Sequence, residues 1–153
     1  MYLEKFLLQG QTAIVTGGSS GIGRMTAHVL SEAGANVVVA ARSVDRLFKV
    51  ADELRALGHN TIAVPTDVTV PSQLDALVAR AIQDTGRIDV VVNVAGGTPP
   101  GTALSLSDDD FEAAFHFNVT SALHLSRSAA RHMVKTGGGS IVNISSAMGH
   151  QVD

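Results

Sequence analysis

Residues 12–24 read TAIVTGGSSGIGR, from Thr12 to Arg24. The first five are apolar or β-branched, too few for a helix, and they run without alternating with polar residues. Such a run suits a strand buried on both faces, as strands of a parallel sheet are. Glycines and serines follow at once, and from Ile22 to Ala33 the apolar positions take helical spacing. A buried strand, a tight turn and a helix require a second parallel strand to complete the unit.

Short apolar runs of the same kind recur at residues 36–41 (NVVVAA), 61–65 (TIAVP), 89–94 (DVVVNV) and 140–144 (SIVNI). Helical spacing fills the gaps, over residues 44–57, 71–85 and a long stretch from about Ser107 to Lys135. Gly34, Gly58 and Gly86 stand where the first three helices should stop, and Pro71 sits in a first turn, where its missing N–H costs little. Ser107 and Asp110 form a capping-box pattern. The alternation predicts an α/β fold, a doubly wound parallel sheet of five strands between two helical layers, with right-handed crossovers. Residues 1–153 are expected to form one nucleotide-binding domain of the Rossmann kind.

Composition narrows the function classes. The 153 residues carry a net charge of −3, so no basic footprint for nucleic acid or an anionic membrane is expected. There is no cysteine, which excludes disulfides and thiolate metal sites and suits a reducing cytoplasm. The N-terminal MYLEKFLLQGQT lacks the pattern of a signal peptide, and no apolar run is long enough to span a bilayer. We expect a cytoplasmic protein. Asp108, Asp109 and Asp110 read as a helix N-terminus favoured by the macrodipole, and His28, His124 and His132 as solvated or packed histidines. No metal site is expected.

The glycine turn carries the chemistry. Gly17 permits the tight turn, Gly21 lets the backbone approach a pyrophosphate, and Gly23 lets the helix pack close to the sheet. Ser19, Ser20 and Ile22 complete the loop, whose helix presents free N–H groups to phosphate charge. A glycine-rich strand–helix turn can also be merely structural; the buried strand on either side favours a dinucleotide.

The spacing TGxxxGxG resembles that of the short-chain dehydrogenase/reductase family, and four further motifs follow in the family's order. Asp67-Val68 closes the third strand, where the resemblance implies a contact to adenine. NVAG, with Asn93, Ala95 and Gly96, stands at the end of the fourth strand, with Val94 in place of a second asparagine. Asn118 in FNVTS matches a structural and catalytic asparagine, with Ser121 where glycine is common. GSIVNISSA matches the strand-five pattern, in which Ser146 corresponds to the catalytic serine. Each residue also has a plain structural role open to it: Asp67 can cap the next helix, Asn118 can bond within its helix, and Ser145 and Ser146 can satisfy a strand end.

The resemblance implies an oxidoreductase interconverting an alcohol and a carbonyl on a small molecule, usually as a homo-oligomer. Its cofactor choice is suggested by the end of strand two. An NAD-preferring fold places an acid there to bind the ribose 2′-hydroxyl. This sequence has Ala41, followed by Arg42 and Ser43, so a 2′-phosphate meets a guanidinium and no repelling carboxylate. NADP(H) is expected over NAD(H), unless Asp45 pairs with Arg42 or Arg42 is simply solvated. The family's tyrosine and lysine, in a YxxxK pair on the helix after the serine loop, have no match in these 153 residues. The only tyrosine is Tyr2, ahead of the first strand, and Lys135 has no tyrosine four residues before it. The chain thus reads as the cofactor half with two of four catalytic residues, inactive alone, its fifth strand left as a sheet edge. A non-catalytic dinucleotide-binding protein and an inactive truncated product are the alternatives.

Overall fold

The computed structural model describes residues 2–98 and 101–147. A short 3-10 helix, Tyr2–Phe6, leads into β1 (Thr12–Thr16), α1 (Gly21–Glu32), β2 (Asn36–Ala41), α2 (Val44–Ala56), β3 (Thr61–Pro65) and α3 (Pro71–Thr85). Then come β4 (Val90–Asn93), α4 (Asp108–Phe115), one π-helical turn (His116–Thr120), α5 (Ser121–Met133) and β5 (Ser140–Asn143). The strands form one parallel sheet in the order β3-β2-β1-β4-β5. After β3 the chain returns to the other side of β1, so the winding direction reverses between β1 and β4.

The register shows why the runs are apolar on both sides. Ile14 lies opposite both Val38 and Val91, and these three pack with Leu74, Leu77 and Val78 of α3 and Leu125 and Ala129 of α5. Their neighbours Ala13, Val15, Val37, Val39 and Val92 turn to the opposite face, against Ala27 of α1 and Leu47, Ala51 and Leu54 of α2. Period-two side chains therefore feed two cores, one under each helical layer. Gly34, Gly58 and Gly86 follow α1, α2 and α3 with φ of +96°, +87° and +79°, the left-handed stops expected of them.

At the N-terminal end of the sheet, Asp89 ties three strands together. Its Oδ2 accepts from the buried Thr12 N–H at 2.8 Å, and its carbonyl accepts from Ser140 N at 2.7 Å. Arg87 grips both carboxylate oxygens, at 2.6 and 2.8 Å. Burial pushes this carboxyl's pKa up, but the Arg87 and Thr12 hydrogen bonds and the Arg87 charge outweigh it, and the net shift is downward.

β5 is an edge strand, as expected, with β4 its one strand neighbour among the described residues, and its four residues are exposed where those of the inner strands are mostly buried. Two further expectations need correction. Asp67 and Val68 lie just past β3, which ends at Pro65, in the loop toward α3. The long helix from Ser107 is not continuous: α4 and α5 flank the π-helical turn that carries Asn118. Its start is as expected, with Ser107 Oγ accepting from Asp110 N at 3.1 Å and donating to Asp110 Oδ2 at 2.6 Å.

Candidate functional site

A cleft runs across the C-terminal ends of β1, β2, β3 and β4, at the point where the winding reverses. Its floor is the glycine turn, residues 17 and 19–23. Gly17 has φ +67°, and a Cβ on it would stand 3.0 Å from Ala95 N, so the residue permits both the turn and the approach of the loop after β4. A Cβ on Gly23 would collide with the Gly17 carbonyl, which is why α1 can begin hard against the turn. Gly21 differs. It has φ +49° and open space where a Cβ would be, on the cleft surface. The N-cap residue, Ser20, makes no side-chain cap bond, so the first-turn N–H groups of α1 remain available to an anion.

The loop after β4 is held by Thr16, which is buried at the end of β1. Its Oγ1 accepts from Val94 N at 3.2 Å and Ala95 N at 3.3 Å. Val94, Ala95 and Gly96 then line the cleft, so valine at the second position of NVAG costs the loop neither bond. Asn93 is placed differently. Its Nδ2 donates to Asn143 Oδ1 at 2.8 Å and Ser126 Oγ at 3.2 Å, which joins β4 to β5 and α5, and it does not line the cleft.

The end of β2 forms the basic wall. Ala41, Arg42, Ser43 and Arg46 all line it, and Arg46 Nε donates to Ser43 Oγ at 2.9 Å. The Arg42 guanidinium lies 5.6 Å from the centre of the Phe117 ring on the opposite wall. Asp45 forms no ion pair with Arg42 among the described residues, and no carboxylate lines the cleft. Arg46 was not among the residues anticipated from sequence. The available signal was its place in the first turn of α2, four residues after Arg42.

Val68 lines the third wall, while Asp67 beside it does not. The Asp67 Oδ1 accepts from Thr69 N at 2.9 Å and Thr69 Oγ1 at 2.7 Å, and its own N–H donates to Gln73 Oε1 at 2.7 Å. The Thr69 bonds hold its pKa below the ordinary aspartate value, with a smaller pull from Arg42 and an opposing push from burial. Asp67 therefore closes the turn into α3.

Asn118 grips one residue of the β4 loop from both sides. Its Oδ1 accepts from Gly97 N at 2.8 Å and its Nδ2 donates to Gly97 O at 2.8 Å. The same Nδ2 donates to Ala114 O at 2.7 Å, and Ser121 Oγ donates to Phe117 O at 2.6 Å. These side chains satisfy carbonyls around the π-helical turn, where the helical ladder changes register. Gly96 must lack a side chain here, since a Cβ would stand 2.8 Å from Asn118 Oδ1. Ser146 lies three residues past the end of β5 and is exposed, outside the cleft wall. Elsewhere His124 is paired rather than free: its Nε2 lies 3.1 Å from Asp75 Oδ1, which Ser128 Oγ also reaches at 3.0 Å.

The family model described as short chain dehydrogenase matches residues 11–152. The chain belongs to the short-chain dehydrogenase family. It is 41% identical over 150 residues to an uncharacterized oxidoreductase of Mycobacterium tuberculosis, covering 97% of this chain and 57% of that protein. It is 40% identical over 143 residues to 7alpha-hydroxysteroid dehydrogenase of Escherichia coli K12, with 94% and 56% covered. To 2,3-dihydro-2,3-dihydroxybenzoate dehydrogenase of Bacillus subtilis it is 37% identical over 139 residues, with 91% and 53% covered. The chain thus spans a little over half the length of these relatives. A solved 7alpha-hydroxysteroid dehydrogenase, complexed with NADH and 7-oxo glycochenodeoxycholic acid, superposes with a TM-score of 0.94 at 37% identity, covering 98% of this chain and 58% of that one. A short-chain enzyme from Mycobacterium marinum gives 0.95 at 36%, covering 100% and 62%. Nicotinamide dinucleotides are the cofactors of the family, and no helix among the described residues is long and apolar enough to cross a membrane.

Proposed function

We propose that the cleft takes NADP(H) in preference to NAD(H), and that this chain supplies the cofactor half of an oxidoreductase interconverting an alcohol and a carbonyl on a small molecule. One observation carries the cofactor choice: two guanidiniums, Arg42 and Arg46, line the cleft where β2 ends, and among the described residues no carboxylate does. A 2′-phosphate there gains charge-assisted bonds, with Ser43 Oγ held beside it by Arg46. The glycine turn fits a pyrophosphate, since Gly21 leaves open space and the α1 N-terminus is uncapped. Ser19, Ser20 and Ile22 border the same phosphate; Val68, with Asp67 behind it, faces the adenine end; Ala95 and Gly96, braced through Asn93, face the nicotinamide end.

The dinucleotide supplies a hydride donor or acceptor at its nicotinamide carbon. Asn118 orders the loop at that end, and Ser146 polarises the substrate carbonyl. The proton donor is the part these residues do not furnish. Tyr2 stands before the N-terminal end of β1, while the cleft lies past the C-terminal ends of the strands. That placement supports a second reading, in which these 153 residues bind dinucleotide without turning substrate over.

Fluorescence titration with NADPH and NADH tests the cofactor choice. Arg42→Ala should remove most of a preference for NADPH, since a charge-assisted contact is worth about 1.5–3 kcal/mol, roughly ten- to a hundredfold. Equal affinities that neither Arg42→Ala nor Arg46→Ala changes would reject the assignment.

A further inference from the structure

We infer that His116 is a positioning residue: through its bond to the Thr69 carbonyl it locks the π-helical turn in register and so sets where Asn118 holds Gly97 at the cleft. The inference rests on the dinucleotide assignment above for its functional consequence, but not for its structural part.

His116 opens the π-helical turn, and its Nε2 lies 2.9 Å from Thr69 O. A carbonyl oxygen only accepts, so Nε2 carries the proton; the neutral Nε2–H form and the imidazolium both make this bond. The ring is half-buried, as is Thr69. Thr69 is itself fixed, because its N–H and hydroxyl both donate to Asp67 Oδ1. The bond therefore joins the turn to a closed loop rather than to a free strand of chain.

Both ends of this tie belong to walls of the cleft. On one side Val68 precedes Thr69, and on the other Phe117 follows His116, with the Arg42 guanidinium over its ring. One residue further, Asn118 makes its three bonds to Gly97 and Ala114. A π-helical turn is rare and occurs mostly as a single turn inside an α-helix, frequently at a functional site. Asn118 and Ser121 supply local support from within the helix. His116, like Asn118 with Gly97, supplies a bond to another part of the fold, across 47 residues of sequence. Without it the turn can relax toward α-helical register, and Asn118 would then leave Gly97.

The test uses the labelled 153-residue protein with His116→Gln, which keeps an amide donor at similar reach, and His116→Phe, which keeps a ring without one. Amide exchange of Gly97, whose N–H is held by Asn118 Oδ1, reads the register directly. In His116→Phe it should quicken roughly tenfold, the worth of one hydrogen bond at the upper end of its range, while Val38 and Val91 in the sheet keep their protection. NADPH affinity should fall by a similar factor, and Gln should restore both. Unchanged Gly97 exchange in the Phe variant, equal loss in Phe and Gln, or loss spread evenly over the sheet amides would each overturn the inference. Should the Phe variant not fold, the imidazole nitrogen shifts of the wild type decide: an Nδ1–H tautomer excludes the bond. A wild type that binds no dinucleotide would instead reject the cofactor assignment, with Gly97 exchange still deciding the role of His116.

Discussion

Gly21→Val separates a pyrophosphate cradle from a turn that is only structural, because the structure supplies a matched control. Gly21 has φ +49° and Gly58 has φ +87°, and a Cβ on either meets no atom within 4 Å. Valine at both positions thus pays the same kind of backbone penalty, about 1–3 kcal/mol for a non-glycine residue held at positive φ, with no clash to add. For a chain of this size that is a fall of about 2–4 °C in Tm per kcal/mol. Both are left-handed and open, and they differ chiefly in location: Gly21 opens α1 on the cleft floor, and Gly58 follows α2 outside the cleft wall. In Gly21→Val the side chain fills the space through which the phosphates reach the first turn of α1. NADPH binding should weaken by at least roughly a hundredfold, the equivalent of about 2.7 kcal/mol. Gly58→Val should melt lower by a comparable amount and bind as the wild type does. Melting curves and fluorescence titration on the two variants give the comparison. Equal binding by Gly21→Val and Gly58→Val would refute the cradle.

Asp89→Ala should cost about 1–3 kcal/mol through the stranded, buried Thr12 N–H, with the half-exposed Arg87 adding less than about 1, read from urea unfolding. Because the folded pKa of Asp89 is depressed, its stabilisation is complete above the unfolded value of about 3.9 and is lost as pH falls through the lower folded value; Asp89→Asn should flatten that acid limb. The 153-residue chain should bind dinucleotide yet show negligible dehydrogenase turnover, since a missing general acid–base forfeits typically about 10²–10⁴-fold. Oxidation of an alcohol or reduction of a ketone at an ordinary enzyme rate would show that another group in this chain donates the proton.

Whatever repeats with a local period was legible in the sequence. The parallel strands follow from unbroken apolar runs, and α1, α2 and α3 end where Gly34, Gly58 and Gly86 require. The glycine turn was legible in part for the same reason: Gly23 is constrained by the Gly17 carbonyl six residues before it, while Gly17 and Gly18 are constrained by Ala95 and Val39 from elsewhere in the fold. β5 was legible as a strand and as a sheet edge, and its exposure follows from its having β4 alone as a strand neighbour among the described residues. Asn93 ends β4 where its motif put it and Asp67 lies two residues past β3 instead of closing it, but what their side chains do was not readable. One bonds to β5 and α5, and the other closes the turn into α3. Those partners are set by tertiary packing.

The π-helical turn shows what this means for the site. HFNVTS contains no glycine or proline to mark a break, and its weak helix formers lower helical preference without placing a register change. The register change is stabilised instead by bonds whose value appears only once β3, β4 and the long helix are assembled: His116 to Thr69, Asn118 to Gly97, Ser121 to Phe117. Two of the three reach other elements, so the register of the turn depends on tertiary contacts. A motif such as FNVTS thus marks where Asn118 belongs, but its action depends on Thr69, 49 residues earlier than Asn118, through a histidine that no spacing rule selects. Thr69→Val, which keeps the carbonyl but loses the hydroxyl bond to Asp67, should therefore weaken dinucleotide binding although Thr69 does not line the cleft, and by less than Gly21→Val does.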